Sequence, residues 1–280
     1  MTEVIERTEV LLPGPARALG SLLDVPVPDL EGGAGLPLLW HWIYLLDRPA
    51  QADLGSDGHP VRGTVPAPPG PGQRRMWAGG QVRSSGLLRC GEPATRRSRV
   101  ESVQGKVGRS GPLTFCVVRH QIEQRGRVVI DERQDIVYRP AASPACQPVS
   151  RSDEGPVILP ADGEREIPIS PTLLFRFSAL TDNAHRIHYD REYARDIEGY
   201  PGLLTHGPLQ AIAMAEAART AGLPDLEGDA GLSFDYRLTS PLFDYQGMVV
   251  GATAHQESTR TTVRDLHSRQ TAAGTLRTGR

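Results

Sequence analysis

The part of the sequence that decides the fold is SALTDNAHRIHYD at residues 178–190, followed by THGPL at residues 205–209. It brings two histidines, His185 and His188, within four positions of each other, and a third, His206, stands shortly before an apolar, alanine-rich run. That run, Leu209 to Ala221, favours a helix throughout, and Gly222 just beyond it is a typical helix stop. Histidine transfers protons near neutral pH. The stretch therefore predicts a proton-transfer site beside the start of a helix.

β-Branched runs separated by glycine-bearing turns flank this stretch and predict antiparallel strands. In the first part of the chain the runs cover residues 81–83, 95–104, 113–124 and 127–138. In the second part the candidates are residues 231–238, 248–255, 260–265 and 271 onward, with a further strand expected near Leu173 to Ser178. A short helix is expected at Ala16 to Leu23, and the aromatic run at residues 38–46 is long enough for a buried helix or a strand. Each part combines helix with antiparallel sheet, which predicts an α+β fold.

A proline-rich segment separates the two parts. Residues 140–163 hold five prolines among small and polar residues, a composition typical of linkers. We therefore predict a first domain at residues 1–139, a linker at 140–163 and a second domain at 164–280. The histidine cluster falls in the second domain, and the first has no equivalent cluster. We expect the second domain to be catalytic and the first to shape the substrate pocket.

The overall composition argues against several classes of protein. Basic residues number 31 and acidic residues 33, and the resulting charge of −2 gives no reason to expect nucleic acid or an anionic membrane surface as a partner. The longest apolar stretch, residues 35–46, is interrupted by His41 and is shorter than the roughly 20 residues of a membrane span. The acidic N-terminus lacks the order of a secretory signal, and Cys90, Cys116 and Cys146 cannot all pair internally. We expect reduced thiols in a cytoplasmic protein.

The quoted stretch resembles the MaoC-like family of (R)-specific enoyl-CoA hydratases and dehydratases, whose signature S-G-D-x-N-P-L-H-x-D is followed by H-G at the start of the central helix. It is most similar to the subgroup of type-2 hydroxyacyl-thioester dehydratases and mesaconyl-CoA-type hydratases, which read roughly S-A-L-T-F-N-x-H-R-I-H-Y-D. The first part of the chain is similar as well, at residues 71–80, 108–113 and 134–139. The resemblance implies a double hot-dog fold, in which each half wraps an antiparallel sheet around one long helix and the two sheets join edge to edge.

The resemblance also implies a lyase that adds water to a 2-enoyl thioester or removes it from a 3-hydroxyacyl thioester of coenzyme A or an acyl carrier protein. That reaction needs a group that activates water, a proton for the α-carbon and donors for the charge on the thioester oxygen. The resemblance assigns proton transfer to His188 and the oxyanion donor to the backbone N–H of Gly207. A helix start suits the second task, since its unpaired N–H groups favour negative charge. No metal and no organic cofactor is expected.

The motif departs from the family pattern at two positions. Asn183 stands where the wider signature has an aspartate, and an amide neither takes nor gives a proton at neutral pH. Asp182 stands where the subgroup has an aromatic residue. One hypothesis is that Asn183 positions the water or the thioester while His188 moves the proton alone. The other hypothesis is that His185 or Asp182 takes the proton-transfer role that the aspartate has in the wider signature.

Three further residues are expected to contact the substrate. Arg186 and Arg176 are candidates for the phosphates of coenzyme A, and Arg186 is favoured because it lies inside the motif. Isolated arginines nevertheless serve most often as solvated surface residues or ion-pair partners. His206 is expected to bind substrate at the helix start.

A metal site is an alternative use of the same histidines. His185 and His188 could supply ligands together with Asp182, Asp190 and His206. The stretch lacks the H-E-x-x-H arrangement of zinc hydrolases, so we expect no metal here.

Other functions remain open on the same fold. A thioesterase or a tailoring dehydratase of a natural-product pathway would use a similar pocket. A non-catalytic protein that binds an acyl thioester or a partner subunit would keep the histidine segment only for structure. The presence of both His188 and the His206-Gly207 pair favours a catalyst. A homodimer of double hot-dogs is the candidate assembly.

Overall fold

The structure of the chain is a computed structural model that describes residues 4–63, 65–66, 73–108, 111–140, 155–221 and 231–278. Its strands are β1 Val4–Val10, β2 Gln73–Ser84, β3 Pro93–Gly108, β4 Gly111–Gln124, β5 Arg127–Pro140, β6 Glu164–Ile167, β7 Leu232–Leu238, β8 Met248–His255, β9 Ser258–Arg264 and β10 Gln270–Thr278. Its helices are α1 Pro13–Leu23, α2 Pro171–Leu180 and α3 Gly207–Thr220. Short 3₁₀ helices lie at Trp40–Ile43, Gln51–Asp53 and Arg186–His188, and a π-helix lies at Tyr193–Ile197.

Some predicted features lie outside the described residues. These are Cys146, Gly222, most of the predicted linker (141–154) and parts of the similar segments 71–80 and 108–113. Among the described helices, none has the length and apolar character needed to cross a bilayer.

One antiparallel sheet contains every strand named above, in the order β1-β3-β4-β5-β2-β7-β10-β9-β8-β6. Strands β1 to β5 form one half of the sheet and strands β6 to β10 form the other. Counted outward from the β2–β7 junction, which we call the seam, the strands of both halves follow the same order. The halves meet where β2 pairs with β7 over six residue pairs. This pairing confirms the edge-to-edge junction, and it leaves neither inner edge exposed to pairing with another chain.

The seam depends on two adjacent glycines. A Cβ atom at Gly79 would collide with the carbonyl oxygen of Tyr236, and one at Gly80 would collide with the carbonyl oxygen of Arg133. The backbones of neighbouring strands approach these positions too closely for a side chain. The Gly79-Gly80 pair therefore permits the continuous sheet.

The two halves differ in their helices. α3 packs across β8, β9 and β10, and Leu209 and Met214 are fully buried on it. α1 is shorter and packs against α2 and against the 3₁₀ helix Trp40–Ile43. Between α1 and β2 the described residues contain no helix as long as α3, and the aromatic segment lies there instead. Trp40 of that segment donates from Nε1 to Glu216 of α3 (2.8 Å), which ties the first half to the helix of the second.

Most predicted elements are confirmed, and one is wrong. The strand expected near Leu173 to Ser178 is helix α2. Ser170 caps it by accepting a hydrogen bond from the N–H of Leu173 (3.1 Å), and Pro171 follows in the first turn. The buried residues Leu173, Leu174 and Phe177 recur with helical spacing, a pattern that a short apolar run cannot distinguish from a strand. The sequence also did not predict β1 and β6, because neither alternates apolar and polar residues clearly.

A buried carboxylate holds the aromatic segment against the first-half sheet. Glu132 on β5 is 2% exposed and accepts hydrogen bonds from His41 Nε2 (3.0 Å), Trp42 Nε1 (2.9 Å) and Gln134 Nε2 (2.6 Å). Burial acts to raise the pKa of Glu132, but its hydrogen bond and electrostatic attraction to His41 outweigh burial and lower the pKa to about 2. The carboxylate is therefore ionised at neutral pH and has several donors.

Replacing Glu132 tests how much this network contributes to stability. Glu132→Ala leaves buried donors without an acceptor, so we expect the free energy of unfolding to fall by about 3 kcal/mol. Glu123→Ala is the matched control, because Glu123 is 35% exposed and pairs with Arg97 at the surface; we expect it to cost less than about 1 kcal/mol. Urea unfolding measures both, and equal losses in the two variants would contradict this assignment.

Candidate active site

His188 lies at the end of the 3₁₀ helix Arg186–His188 and is 7% exposed. Its Nδ1 is 2.7 Å from the carbonyl oxygen of Leu204. A carbonyl oxygen only accepts hydrogen bonds, so Nδ1 carries the proton and Nε2 keeps its lone pair. Burial lowers the pKa of His188 to about 4, and the hydrogen bond to Leu204 opposes this only in part. At neutral pH the ring is therefore a neutral base with Nε2 as its basic atom.

His206 packs face to face on His188. The ring centroids are 3.6 Å apart and the ring planes differ by 18°. Its Nε2 is 2.9 Å from the hydroxyl of Ser178, at the C-terminal end of α2. Burial, followed by repulsion from His188, holds the pKa of His206 well below its usual range. Its Nδ1 is buried and has no hydrogen-bond partner among the described residues.

Gly207 begins α3 directly after His206. Pro208 follows it in the first turn and has no N–H, so Gly207 supplies a backbone donor at the very start of the helix. A Cβ atom at Gly207 would meet the terminal methyl group of Leu238 on β7, so glycine fits here without a shift of that side chain. An N–H group at this end of a helix favours a negatively charged ligand atom. The structure thus brings this donor next to the stacked rings.

Asn183 and Asp182 lie in the turn that ends α2, but they have different environments. The N–H of Asn183 donates to the carbonyl oxygen of Ser178 (2.9 Å), and its Oδ1 accepts from the N–H of His185 (3.1 Å). Its side-chain NH2 group is then the part that can donate to a ligand. Asp182 is exposed and has a positive φ of 51°, a conformation in which it ends the helix. Of the two, Asn183 is the half-buried residue.

His185 connects this cluster to the first half of the chain. Its ring meets His188 edge to face at a centroid distance of 5.6 Å, and on its other side it packs on His59 at 3.9 Å. Burial, together with the charges of His59 and His188, lowers the pKa of His185 to about 2. His59, His185, His188 and His206 therefore form a row of packed imidazoles that contains four of the eight histidines in the chain.

The sequence did not predict the involvement of His59. Its Nδ1 is 3.1 Å from Oδ2 of Asp57, and its backbone N–H donates to Oδ1 of the same residue (2.9 Å). Burial acts to raise the pKa of Asp57, but these hydrogen bonds and the nearby histidines lower it to about 2. The aspartate therefore orients the imidazole of His59. The available signal was the turn sequence Asp57-Gly58-His59-Pro60, which indicates a turn but not its distant partner.

The loop at residues 54–60 docks onto the histidine motif through backbone contacts. The N–H of Arg186 donates to the carbonyl oxygen of Asp57 (2.9 Å), and Nη1 of Arg186 donates to that of Ser56 (3.0 Å). Gly58 has a φ of 88°, and a Cβ atom there would collide with the carbonyl oxygen of Ala184. Only glycine meets both requirements at low cost.

The two predicted arginines have different surroundings. Arg186 donates to Asp190 (2.7 Å) and stacks over the ring of Tyr193 at 4.1 Å. These contacts occupy its guanidinium with partners from the protein itself, so they give no support to a role at the phosphates of coenzyme A. Arg176 is exposed on α2, and the described part of the chain offers it no such packing.

Two histidines of the row, together with Asp57, form a group with the donor set of a metal site. The side-chain ligand atoms of Asp57, His59 and His185 all lie within 4.8 Å of one another. This set differs from the alternative considered from the sequence, because it takes two members from the first half. In the alternative set, Nδ1 of His188 is occupied by Leu204. Of the two groups, the Asp57 cluster is the better candidate for a metal.

Comparisons with known proteins agree with the geometry. The family of hydroxyacyl-thioester dehydratase type 2 matches residues 39–244. Mesaconyl-C(4)-CoA hydratase of Chloroflexus aurantiacus is 46% identical over 232 residues, which cover 82% of this chain and 79% of that protein. The match and this relative support a hydro-lyase that acts on acyl thioesters.

Two solved structures from Mycobacterium tuberculosis share the architecture. HtdX superposes with a TM-score of 0.66 at 14% identity, covering 99% of this chain and 100% of its own. A second protein, described as having a double hotdog fold, superposes with a TM-score of 0.54 at 16% identity, covering 99% of this chain and 95% of its own. At these identities the likeness concerns the fold alone, and it confirms the double hot-dog. The sequence matches go further: the chain belongs to the hydroxyacyl-thioester dehydratase type 2 family.

Proposed function

We propose that this hydro-lyase adds water to the double bond of 2-enoyl-CoA thioesters, and removes it from the corresponding 3-hydroxyacyl-CoA, with His188 as its acid and base. The observation that carries the proposal is the state of this ring. It is buried, its Nδ1–H is bound to Leu204 so that Nε2 is its basic atom, and it stacks on His206, the residue directly before Gly207 at the start of α3. The name of the 46% identical relative supports coenzyme A as the carrier.

The proposed reaction needs one mobile proton. Nε2 of His188 accepts a proton from water as the water oxygen bonds to the β-carbon, and electrons shift onto the thioester oxygen. The N–H of Gly207, with the partial positive charge of the α3 N-terminus, stabilises that oxygen. The imidazolium then returns the proton to the α-carbon, so His188 is neutral again and the product holds one added water. Dehydration follows the same steps in reverse.

Asn183 and His206 have binding roles in this proposal. The free NH2 group of Asn183 suits a donor to the water or to the thioester, which corresponds to the first of the two hypotheses from the sequence. The unpartnered Nδ1 of His206 is a buried polar atom, and a substrate atom would satisfy it. Asp182 lies at the surface and takes no part.

The first half contributes to the site in this proposal. The loop at residues 54–60 holds His59 against His185 and covers the outer end of the imidazole row. We therefore assign catalysis to the second half and part of the pocket to the first, which agrees with the domain roles expected from the sequence.

Replacing His188 tests its role directly. His188→Asn keeps an N–H donor close to Leu204 but removes the basic nitrogen. We expect kcat for hydration of crotonyl-CoA, followed by loss of the conjugated double bond, to fall by about 10² to 10⁴ with little change in KM. His255→Asn, at an exposed position, is the control. Near-normal turnover in His188→Asn would show that another group moves the proton.

The pH profile provides a second test. Only the neutral imidazole of His188 accepts a proton, and its pKa is lowered to about 4. We therefore expect kcat/KM to stay level across the neutral range and to decrease only as the pH falls through about 4, while circular dichroism reports an intact fold. A decrease centred near 6.5, the ordinary histidine value, would contradict the buried neutral base.

Two neighbouring substitutions separate the hypotheses for the motif. Asn183→Ala should lower kcat by about 100-fold, as expected for loss of one positioned donor. Asp182→Ala should change kcat by no more than about twofold, because the side chain is exposed. Both are measured with crotonyl-CoA on variants with unchanged unfolding temperatures. If Asp182→Ala loses turnover and Asn183→Ala keeps it, the assignment to Asn183 is wrong.

A further inference from the structure

Arg75 lies on the inner face of the first-half sheet. On β2 it stands opposite Tyr138 of β5, two residues from Trp77, which stands opposite Ile136. Side chains two residues apart on a strand share a face. That face is the inner one, because Trp77 packs edge to face on Trp42 at 5.3 Å and joins a buried cluster with Ile136 and Tyr138. Arg75 therefore points to the interior side of the sheet.

The guanidinium of Arg75 has no counter-ion among the described residues. It makes no hydrogen bond and no ion pair with them, whereas its neighbour Arg74 pairs with Glu198 at 2.6 Å. The one carboxylate whose charge acts on Arg75 is Asp47. Asp47 is already bound by Arg7 (3.2 Å) and Arg96 (2.9 Å). Burial lowers the pKa of Arg75, since a charged group loses its hydration there.

The charge of Arg75 acts on the imidazole row. The groups whose charges act on Arg75 include Tyr138 and Cys116, and its own charge is among the causes that lower the pKa of His185. Trp77, Tyr138 and Cys116 make its surroundings largely apolar. Arg75 is partly buried there, and an anion that pairs with it would replace the hydration that its guanidinium has lost. Because arginine binds carboxylates through two parallel hydrogen bonds, a ligand carboxylate would supply that anion.

We propose that Arg75 binds a second, free carboxylate on the acyl group, so that the substrates are monothioesters of dicarboxylic acids. The inference rests on the proposed function, since it names the substrate class of that site. The position on the inner face of the sheet favours an anion on the acyl chain over the phosphates of coenzyme A, which are bulky and strongly hydrated. The mesaconyl group named for the 46% identical relative is itself derived from a dicarboxylic acid.

Two matched substrates test the proposal. Fumaryl-CoA and crotonyl-CoA have the same four-carbon enoyl chain and differ only by a carboxylate in place of a methyl group. We expect Arg75→Met to lower kcat/KM for fumaryl-CoA by about 100-fold, as for loss of one partner of a buried charge pair. Turnover of crotonyl-CoA should stay within a few-fold, and Arg75→Lys should restore part of the activity with fumaryl-CoA. Arg83→Met is the control at an exposed position of the same strand and should leave the ratio of the two substrates unchanged.

Binding and stability measurements make the result independent of turnover. Calorimetry with succinyl-CoA and butyryl-CoA, which are saturated and not hydrated, should show the same loss of selectivity in Arg75→Met. The unfolding temperature of Arg75→Met without ligand should stay equal or rise, because an unpaired, partly buried charge has been removed.

Three results would overturn the inference. Equal losses for both enoyl substrates would place Arg75 at the shared thioester or coenzyme A part, and no loss for either would remove its role. A lower unfolding temperature with unchanged selectivity would make Arg75 structural. If the wild type hydrates neither enoyl substrate, the proposed function fails, while a preference for succinyl-CoA that is lost in Arg75→Met would still support carboxylate binding.

Discussion

The hydrogen bond from Nδ1 of His188 to the carbonyl oxygen of Leu204 is the contact on which the candidate site depends. It joins the histidine motif to the segment that leads into α3, and it determines which ring nitrogen is basic. The carbonyl of Ile187 accepts from the N–H of Leu204 (3.0 Å), so the two segments are bound in both directions. In this arrangement the ring of His188 stacks on the ring of His206, and Gly207, the first residue of α3, comes directly after His206. Loss of the contact would leave the imidazole free to rotate and to change tautomer.

Burial explains why histidines gather here without repelling one another. Each ring in the centre of the row is neutral at pH 7, because removal from water disfavours the charged form more than the neighbouring dipoles favour it. A neutral imidazole has one donor and one acceptor, which suits a site that moves a single proton in either direction. The aspartate that the wider MaoC-like signature has at the position of Asn183 would add a negative charge beside these rings. In the proposed mechanism Asn183 keeps the shape of that residue, and histidine alone moves the proton.

The fusion of two hot-dog halves has a consequence for the proposed site. Only the second half has a long helix across its sheet in the described residues, and the first half has an aromatic segment and loops there. Those loops reach the second half, where Gly58 fits against Ala184 and Arg186 binds the loop carbonyls. In the proposals, the base lies in the second half, and the first half supplies His59 and Arg75 to the same site.

Most of the correct predictions came from local sequence patterns, and none came from contacts between residues that are distant in the sequence. Alternating β-branched residues predicted β4 as 113–124 against the observed Gly111–Gln124, and helical propensity predicted α3, which begins at Gly207. The histidine motif and the following H-G pair predicted that His185, His188 and Gly207 belong to one site. The apolar run at Leu173 was misassigned because strand and helix patterns coincide over six residues.

His59 and Arg75 were out of reach for a different reason. His59 packs on His185 and the charge of Arg75 acts on the same residue, which is more than 100 positions away from both. Neither spacing nor composition encodes such interactions. Nothing in a sequence read alone marks an arginine as lacking a partner.

The protonation state of His188 is the most direct test of this description. Nitrogen-detected NMR of ¹⁵N-histidine protein, with His188→Asn to assign the signals, reports the tautomer and the pKa of the ring. We expect a neutral ring at pH 7 with its proton on Nδ1 and a pKa of about 4. A proton on Nε2, or a titration near 6.5, would contradict it.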